Sequence, residues 1–170
     1  MRESDRKWTL LAYKLPPQPT RLRIQIWRKL QALGAVYLQD GVAVLPSRED
    51  LDENLTYISA AVEEMDGSAT LLQAAGISDK DHAQIIERFQ RAADLRLTEI
   101  IERLDALSET LEDSSSPEEQ ELAEDGLKRE RVAYLKARRL NYFGSAKERE
   151  VDTKIEAIRI QLDQMTRGLK

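Results

Sequence analysis

The sequence predicts an α+β protein: a small sheet domain followed by a long antiparallel α-helical hairpin. The first observation is that β-prone runs and helical apolar stripes alternate as far as Gly76. The second is that every apolar stripe after Gly76 has helical spacing. The third is composition, since 34% charged and only 5% aromatic residues are typical of long solvated helices.

The first strand is predicted over residues 8–15, a run rich in β-formers that Pro16-Pro17 ends. It is apolar on both faces, so we expect it in the centre of the sheet. A helix follows over 21–33, with Thr20 as its cap and Gly34 at its end. Runs 35–39 and 42–45 flank Asp40-Gly41, which indicates a β-hairpin.

A second helix over 48–65 and a short strand over 68–72 complete the order βαββαβ. This order predicts a four-stranded antiparallel sheet with both crossing helices on one face, the ferredoxin-like plan. Residues 1–75 form this predicted domain, and 76–170 form a helical extension of three helices. Heptad-like stripes over 86–111 and 151–165 suggest that the extension packs on itself or on a second subunit, and a homodimer is expected.

Composition excludes several classes of protein. There is no cysteine, so disulfide frameworks, thiolate metal sites and cysteine nucleophiles are excluded. No apolar run approaches the ~20 residues that span a bilayer. Charges of both signs at the N-terminus, with no apolar segment after them, do not fit a signal peptide. We therefore expect a soluble, cytoplasmic protein without a membrane partner.

The net charge of -5 conceals a segregation along the chain. Residues 1–48 and 127–170 each carry a net charge of +6, whereas residues 49–126 carry -17. Such asymmetry fits a polyanion-binding surface. It fits equally a protein whose basic and acidic segments neutralise each other within the fold or across a dimer.

No catalytic residue, metal site or cofactor is predicted. His82 is the single histidine, with only Asp79 and Asp81 nearby in sequence. The acidic run 118–125 lacks a calcium-loop spacing and is typical of a solvated helix start. Gly-rich phosphate loops and nucleophile elbows are absent from the sequence. The sequence therefore indicates a protein that is not an enzyme.

A basic cluster at the start of the first helix is the best candidate site. Lys14, Thr20, Arg21, Arg23 and Arg28 lie where a strand leads into a helix N-terminus. Cations are electrostatically disfavoured at that end of a helix, so their presence suggests an anion. The candidate ligands are nucleic acid, an oxyanion such as chromate or sulfate, or an acidic partner segment. Salt bridges to the chain's own acidic block are the alternative.

Several segments resemble the N-terminal domain of the ChrB family of bacterial chromate-resistance proteins. They are residues 10–16, 21–30, 33–42, 44–46, 89–94 and 141–145. The resemblance implies a chromate-responsive transcriptional regulator. Members of the family usually carry a second, C-terminal domain, which we expect to be missing because the sequence ends at Lys170.

Three functional hypotheses follow. The first is a non-enzymatic regulatory or accessory protein of this class, binding nucleic acid or an oxyanion through the basic cluster. The second is a structural dimerisation module. The third is a degenerate relative of the CRISPR-associated nuclease of ferredoxin-like fold, whose family places an Asp at the end of the first strand. Tyr13-Lys14-Leu15 stand there in this sequence, which argues against a metal-dependent nuclease.

Overall fold

A computed structural model describes residues 7–76, 78–112 and 116–168, with side chains up to residue 166. Nine elements follow one another in these ranges. They are β1 (Lys7–Lys14), α1 (Thr20–Ala32), β2 (Val36–Gln39), β3 (Val42–Pro46), α2 (Glu49–Glu64), β4 (Ser68–Ala75), α3 (Asp79–Glu112), α4 (Pro117–Arg139) and α5 (Lys147–Gly168). The predicted order βαββαβ followed by long helices is thereby confirmed.

The four strands form one antiparallel sheet in the order β2-β3-β1-β4. β1 lies in the centre, as its apolar character predicts, and pairs along its whole length with β4. Its neighbouring residues face opposite sides. Thr9 donates a hydrogen bond to the Asp52 carboxylate of α2 at 2.5 Å, while Trp8 stacks on Phe89 of α3. β1 is therefore covered on both faces, which fits its mostly apolar central residues.

Helix α1 differs in one detail from the prediction. Thr20 is its first residue rather than its cap, because Pro19 occupies the cap position and provides no side-chain hydrogen bond. One side of α1 is buried, with Ile26 and Leu30 fully covered. The opposite side of α1 is consequently left to solvent.

The chain divides into two compact units, Met1–Phe89 and Gln90–Lys170. Helix α3 runs through this division, so the predicted boundary after residue 75 stays a prediction. No helix in the described ranges contains a stretch long and apolar enough to cross a lipid bilayer.

The second unit has its own core. The apolar stripes of α3 and α5 meet α4 in a cluster that includes Leu97, Leu104, Val151 and Ile158, all almost fully buried. Burying such side chains contributes about 1.5–3 kcal/mol each. Because these stripes are covered within one chain, they no longer support a subunit interface at 86–111 or 151–165.

Candidate functional site

An open pocket of about 1040 Å³ lies beside the exposed side of α1. Its walls come from the end of β1, the following loop, α1 and the β2–β3 turn. The lining residues are Tyr13, Lys14, Leu15, Pro17, Thr20, Arg23, Ile24, Trp27, Tyr37, Asp40 and Gly41. The β-hairpin predicted from Asp40-Gly41 therefore forms one wall of the pocket.

The five predicted site residues divide into two groups. Lys14, Thr20 and Arg23 line the pocket, whereas Arg21 and Arg28 do not. At 100° per residue, Arg21 and Arg28 share the side of α1 next to the pocket-facing side. All five residues are exposed to solvent. The pocket is thus bordered by further positive charge outside its walls.

The basic side chains of this site form no ion pairs with acidic residues in the part of the chain that the structure describes. Among residues 7–76, 78–112 and 116–168, no ion pair within 4.0 Å involves Lys14, Arg21, Arg23 or Arg28. The first turn of α1 also contains no acidic residue. The unfavourable interaction of Arg21 and Arg23 with the positive end of the helix dipole is therefore left uncompensated by acids of α1's own first turn.

Exposed apolar and aromatic side chains also line the pocket. The Trp27 side chain is 51% exposed and Ile24 is 44% exposed, both on the pocket-facing side of α1. Trp27 lies on a core helix, where an aromatic residue is more often a packing residue than a ligand contact. The missed signal is its spacing: Thr20, Ile24 and Trp27 recur every three to four residues, opposite the buried stripe.

Two tyrosines stiffen the wall opposite α1. The hydroxyl groups of Tyr13 and Tyr37 lie 2.8 Å apart and share a hydrogen bond. Burial raises the pKa of Tyr37, and the hydrogen bond to Tyr13 raises it further. The Tyr37 phenol, with its raised pKa, therefore remains neutral at physiological pH. Arg88 of α3 donates a 2.7 Å hydrogen bond to the Tyr37 carbonyl oxygen, which holds β2 in place.

Gly41 fixes the turn that closes the pocket. It has a φ of +74°, and a Cβ at this position would lie 2.5 Å from the Tyr13 carbonyl oxygen. The Tyr13 N–H donates to the Gly41 carbonyl oxygen at 2.7 Å. Only glycine combines this backbone conformation with such close approach.

The other candidates from the sequence are structural. His82 is fully buried, and its Nδ1 accepts a 3.1 Å hydrogen bond from the Trp8 indole N–H. Its Nε2 has no hydrogen-bond partner among the described residues. Those residues also contain no group of three or more His, Cys, Asp or Glu side chains that could hold a metal ion.

The arrangement can bind a negatively charged, partly planar ligand. Lys14 and Arg23 supply charge inside the pocket, Trp27 supplies an exposed aromatic face, and Arg21 and Arg28 extend the charge along α1. Asp40 is the acidic residue of the lining.

Comparison with known proteins shows one family. The family described as Protein ChrB, N-terminal, matches residues 23–168, which begin within the first turn of α1 and run to the end of α5. Protein ChrB of Cupriavidus metallidurans is 30% identical over 111 residues, which are 65% of this chain and 34% of that protein. The chain thus covers about a third of the length of this relative. On the extent of the family match, the chain belongs to the ChrB N-terminal family.

Proposed function

We propose that this chain is a non-enzymatic regulatory protein of bacterial chromate resistance whose first unit binds nucleic acid. Membership of the ChrB N-terminal family supports the regulatory class. The basic pocket beside α1 supports nucleic acid as the partner, in the cytoplasm where such regulators act.

The observation that carries the proposal is the half-exposed Trp27 beside cations that form no ion pair with any described residue. An indole that is 51% exposed leaves apolar surface in water. Stacking a nucleobase on that face removes the surface from water, and Arg23 and Lys14 line the same pocket for the adjoining phosphates. Base stacking combined with backbone charge is how many proteins bind single-stranded nucleic acid.

The dimensions favour a nucleic acid over a small oxyanion. Arg21 and Arg28 are seven residues apart on α1, about 10 Å along the helix axis. One tetrahedral dianion cannot contact both, whereas a duplex strand carries a charge every ~3.4 Å of its axis. A pocket of about 1040 Å³ is also far larger than chromate or sulfate.

The test is the salt dependence of oligonucleotide binding. Single-stranded and duplex oligonucleotides are titrated into the full chain between ~50 and ~200 mM salt. We expect affinity to fall steeply, and the variant carrying Arg21→Ala and Arg23→Ala to bind more weakly with a flatter slope. Each lost phosphate contact lowers the slope by about 0.7 for single strands and 0.9 for duplex.

A matched control is available at another helix start. Lys147→Ala with Arg149→Ala removes two cations of the same spacing from the first turn of α5. This variant should bind with unchanged slope. Equal losses in both double variants, or no binding by the unaltered chain at ~50 mM salt, would reject the proposal.

The same titration separates the alternatives. Chromate and sulfate, added as competitors, should displace the oligonucleotide only through general screening. Displacement by chromate at micromolar concentration, with sulfate inactive, would indicate an oxyanion site instead. Cleavage of the oligonucleotide on addition of Mg²⁺ would contradict the non-enzymatic assignment and support a relative of the CRISPR-associated nuclease.

A further inference from the structure

The solvent side of α4 carries a regular stripe of its own. The opposite side of the helix is buried in the second unit, through residues such as Ala123, Leu127 and Tyr134. The exposed stripe repeats with alternating steps of four and three residues. It consists of Glu118, Leu122, Asp125, Arg129, Val132 and Lys136. Such spacing is typical of a helix that pairs with another helix.

The charges on this stripe are ordered. Glu118 and Asp125 lie in the N-terminal half of α4, and Arg129 and Lys136 lie in the C-terminal half. Acids near the N-terminus and cations near the C-terminus suit the helix dipole. The same order makes the stripe complementary to a reversed copy of itself.

Two apolar residues stand within this charged stripe. Leu122 is 69% exposed and Val132 is 67% exposed, on the side of α4 that faces away from the core of the second unit. Their exposed area is too small for a stable interface by itself, so an association through it depends on the charges beside them.

We infer that this stripe joins two copies of the chain, with α4 lying antiparallel on α4 of the partner subunit. Residues whose numbers add up to 254 then face each other, which places Leu122 against the partner's Val132. Glu118 meets the partner's Lys136, and Asp125 meets the partner's Arg129. Because the interface is two-fold symmetric, each of these contacts occurs twice.

The charge pattern of this stripe favours a second copy of the chain over a nucleic acid as the partner. A polyanion attracted by Arg129 and Lys136 would be repelled by Glu118 and Asp125 on the same stripe. A second copy satisfies both halves at once. Asp125 already holds Lys128 at 2.9 Å, but both side chains are mostly exposed, so this pair contributes little and exchanges readily.

Sedimentation velocity of the full chain tests the inference. At low salt the chain should form a dimer that dissociates as ionic strength rises, since exposed charges are screened. Glu118→Lys or Lys136→Glu alone should weaken association about tenfold or more, because each places two pairs of like charges together. The double variant with both changes should restore it. Lys80→Glu, at an exposed position on α3, is the charge-matched control and should leave association unchanged.

A cross-linking experiment tests the register independently, because the chain contains no cysteine of its own. A mixture of the Leu122→Cys and Val132→Cys chains should form a disulfide-linked dimer on oxidation. Either variant alone should not, because identical positions lie about 15 Å apart along the axis. A monomer at all concentrations, a dimer indifferent to Glu118 and Lys136, or stronger linking of identical cysteines would overturn the inference.

Discussion

Residues 1–48 and residues 127–170 have the same net charge, but their cations differ in whether they form ion pairs. In the described part of residues 127–170, four cations form ion pairs with acids of the second unit: Lys128, Arg138, Lys154 and Arg159. In the described part of residues 1–48, Arg48 pairs with Asp50. Lys14, Arg21, Arg23 and Arg28 form no ion pair within the described ranges. Segment charge therefore does not tell whether cations are available to a partner.

The difference follows from secondary structure. Long helices bring acids within reach of cations at three or four residues' spacing, as in the pairs of Arg159 with Glu156 and Asp163. Helix packing adds pairs between helices, such as Arg103 with Glu130. The short helix α1 has no acid in its first turn, and its buried residues are the apolar Ile26 and Leu30. Arg21, Arg23 and Arg28 of α1 therefore form no ion pair within the described ranges.

The largest effect on stability is expected from alanine substitutions at two glycines that have similar backbone conformations. Gly41 beside the pocket and Gly144 before α5 have φ values of +74° and +77°. An alanine in this conformation costs about 1–2 kcal/mol. At Gly41 the added Cβ also meets the Tyr13 carbonyl oxygen, whereas nothing lies within 4 Å at Gly144. Urea unfolding should show a loss of about 3 kcal/mol for Gly41→Ala and about 1 kcal/mol for Gly144→Ala. Equal losses of unfolding free energy in the two variants would mean that the pocket wall shifts to make room for the added Cβ.

An effect of intermediate size on stability is expected at Tyr134, whose ring contacts a cation of the second basic segment. The Arg138 guanidinium lies 5.6 Å from the centre of the Tyr134 ring. Burial raises the pKa of Tyr134 from 10.0 to about 12. The neutral phenol therefore stabilises the fold fully below pH 10, and this contribution is lost as the pH rises through 12.

Unfolding measured between pH 9 and 12 should show this loss, on the order of 1 kcal/mol. Tyr134→Phe should remove it from the pH profile. Tyr57 is 70% exposed, so Tyr57→Phe should retain the profile of the unaltered chain. A Tyr134→Phe profile that still falls in parallel with the unaltered chain would contradict this assignment.

The smallest expected effect on stability tests directly whether the cations of the two basic segments differ in their ion pairing. Lys154 forms an ion pair with Asp105, so Lys154→Ala should cost about 0.5 kcal/mol of unfolding free energy. Arg23 has no such partner in the described ranges and lies near the positive end of α1. Arg23→Ala should therefore leave stability unchanged or raise it by ~0.3 kcal/mol. If Arg23→Ala destabilised the protein more than Lys154→Ala does, the cation would be structural.

Much of the fold could be predicted from sequence because its signals are local. The apolar run of β1, the Asp40-Gly41 turn and the heptad spacing of α3 each specify one element. The cap of α2 shows the limit: Ser47 is of a residue type that often caps helices, but Arg48 holds the cap position and the Ser47 hydroxyl donates to Asp52 at 3.4 Å. Several side chains compete for the same backbone and carboxylate groups, and the sequence does not rank them.

The candidate site could be predicted only in part. The basic residues of α1 follow from the sequence, but which of them share a pocket depends on the β2–β3 turn reaching Tyr13 across the sheet. The exposure of Trp27 depends on which side of α1 the sheet covers. His82 illustrates the reverse case, since a polar residue in a polar helix start is fully buried against Trp8.

Tryptophan fluorescence during oligonucleotide titration tests the central claim most directly. The chain has two tryptophans, of which Trp8 is 2% exposed and Trp27 is 51% exposed. If nucleic acid binds at the α1 pocket, stacking should quench Trp27, and Trp27→Phe should abolish the quenching while the Trp8 emission remains. Saturated binding with no change in Trp27 emission, or equal quenching in the Trp27→Phe variant, would contradict the account.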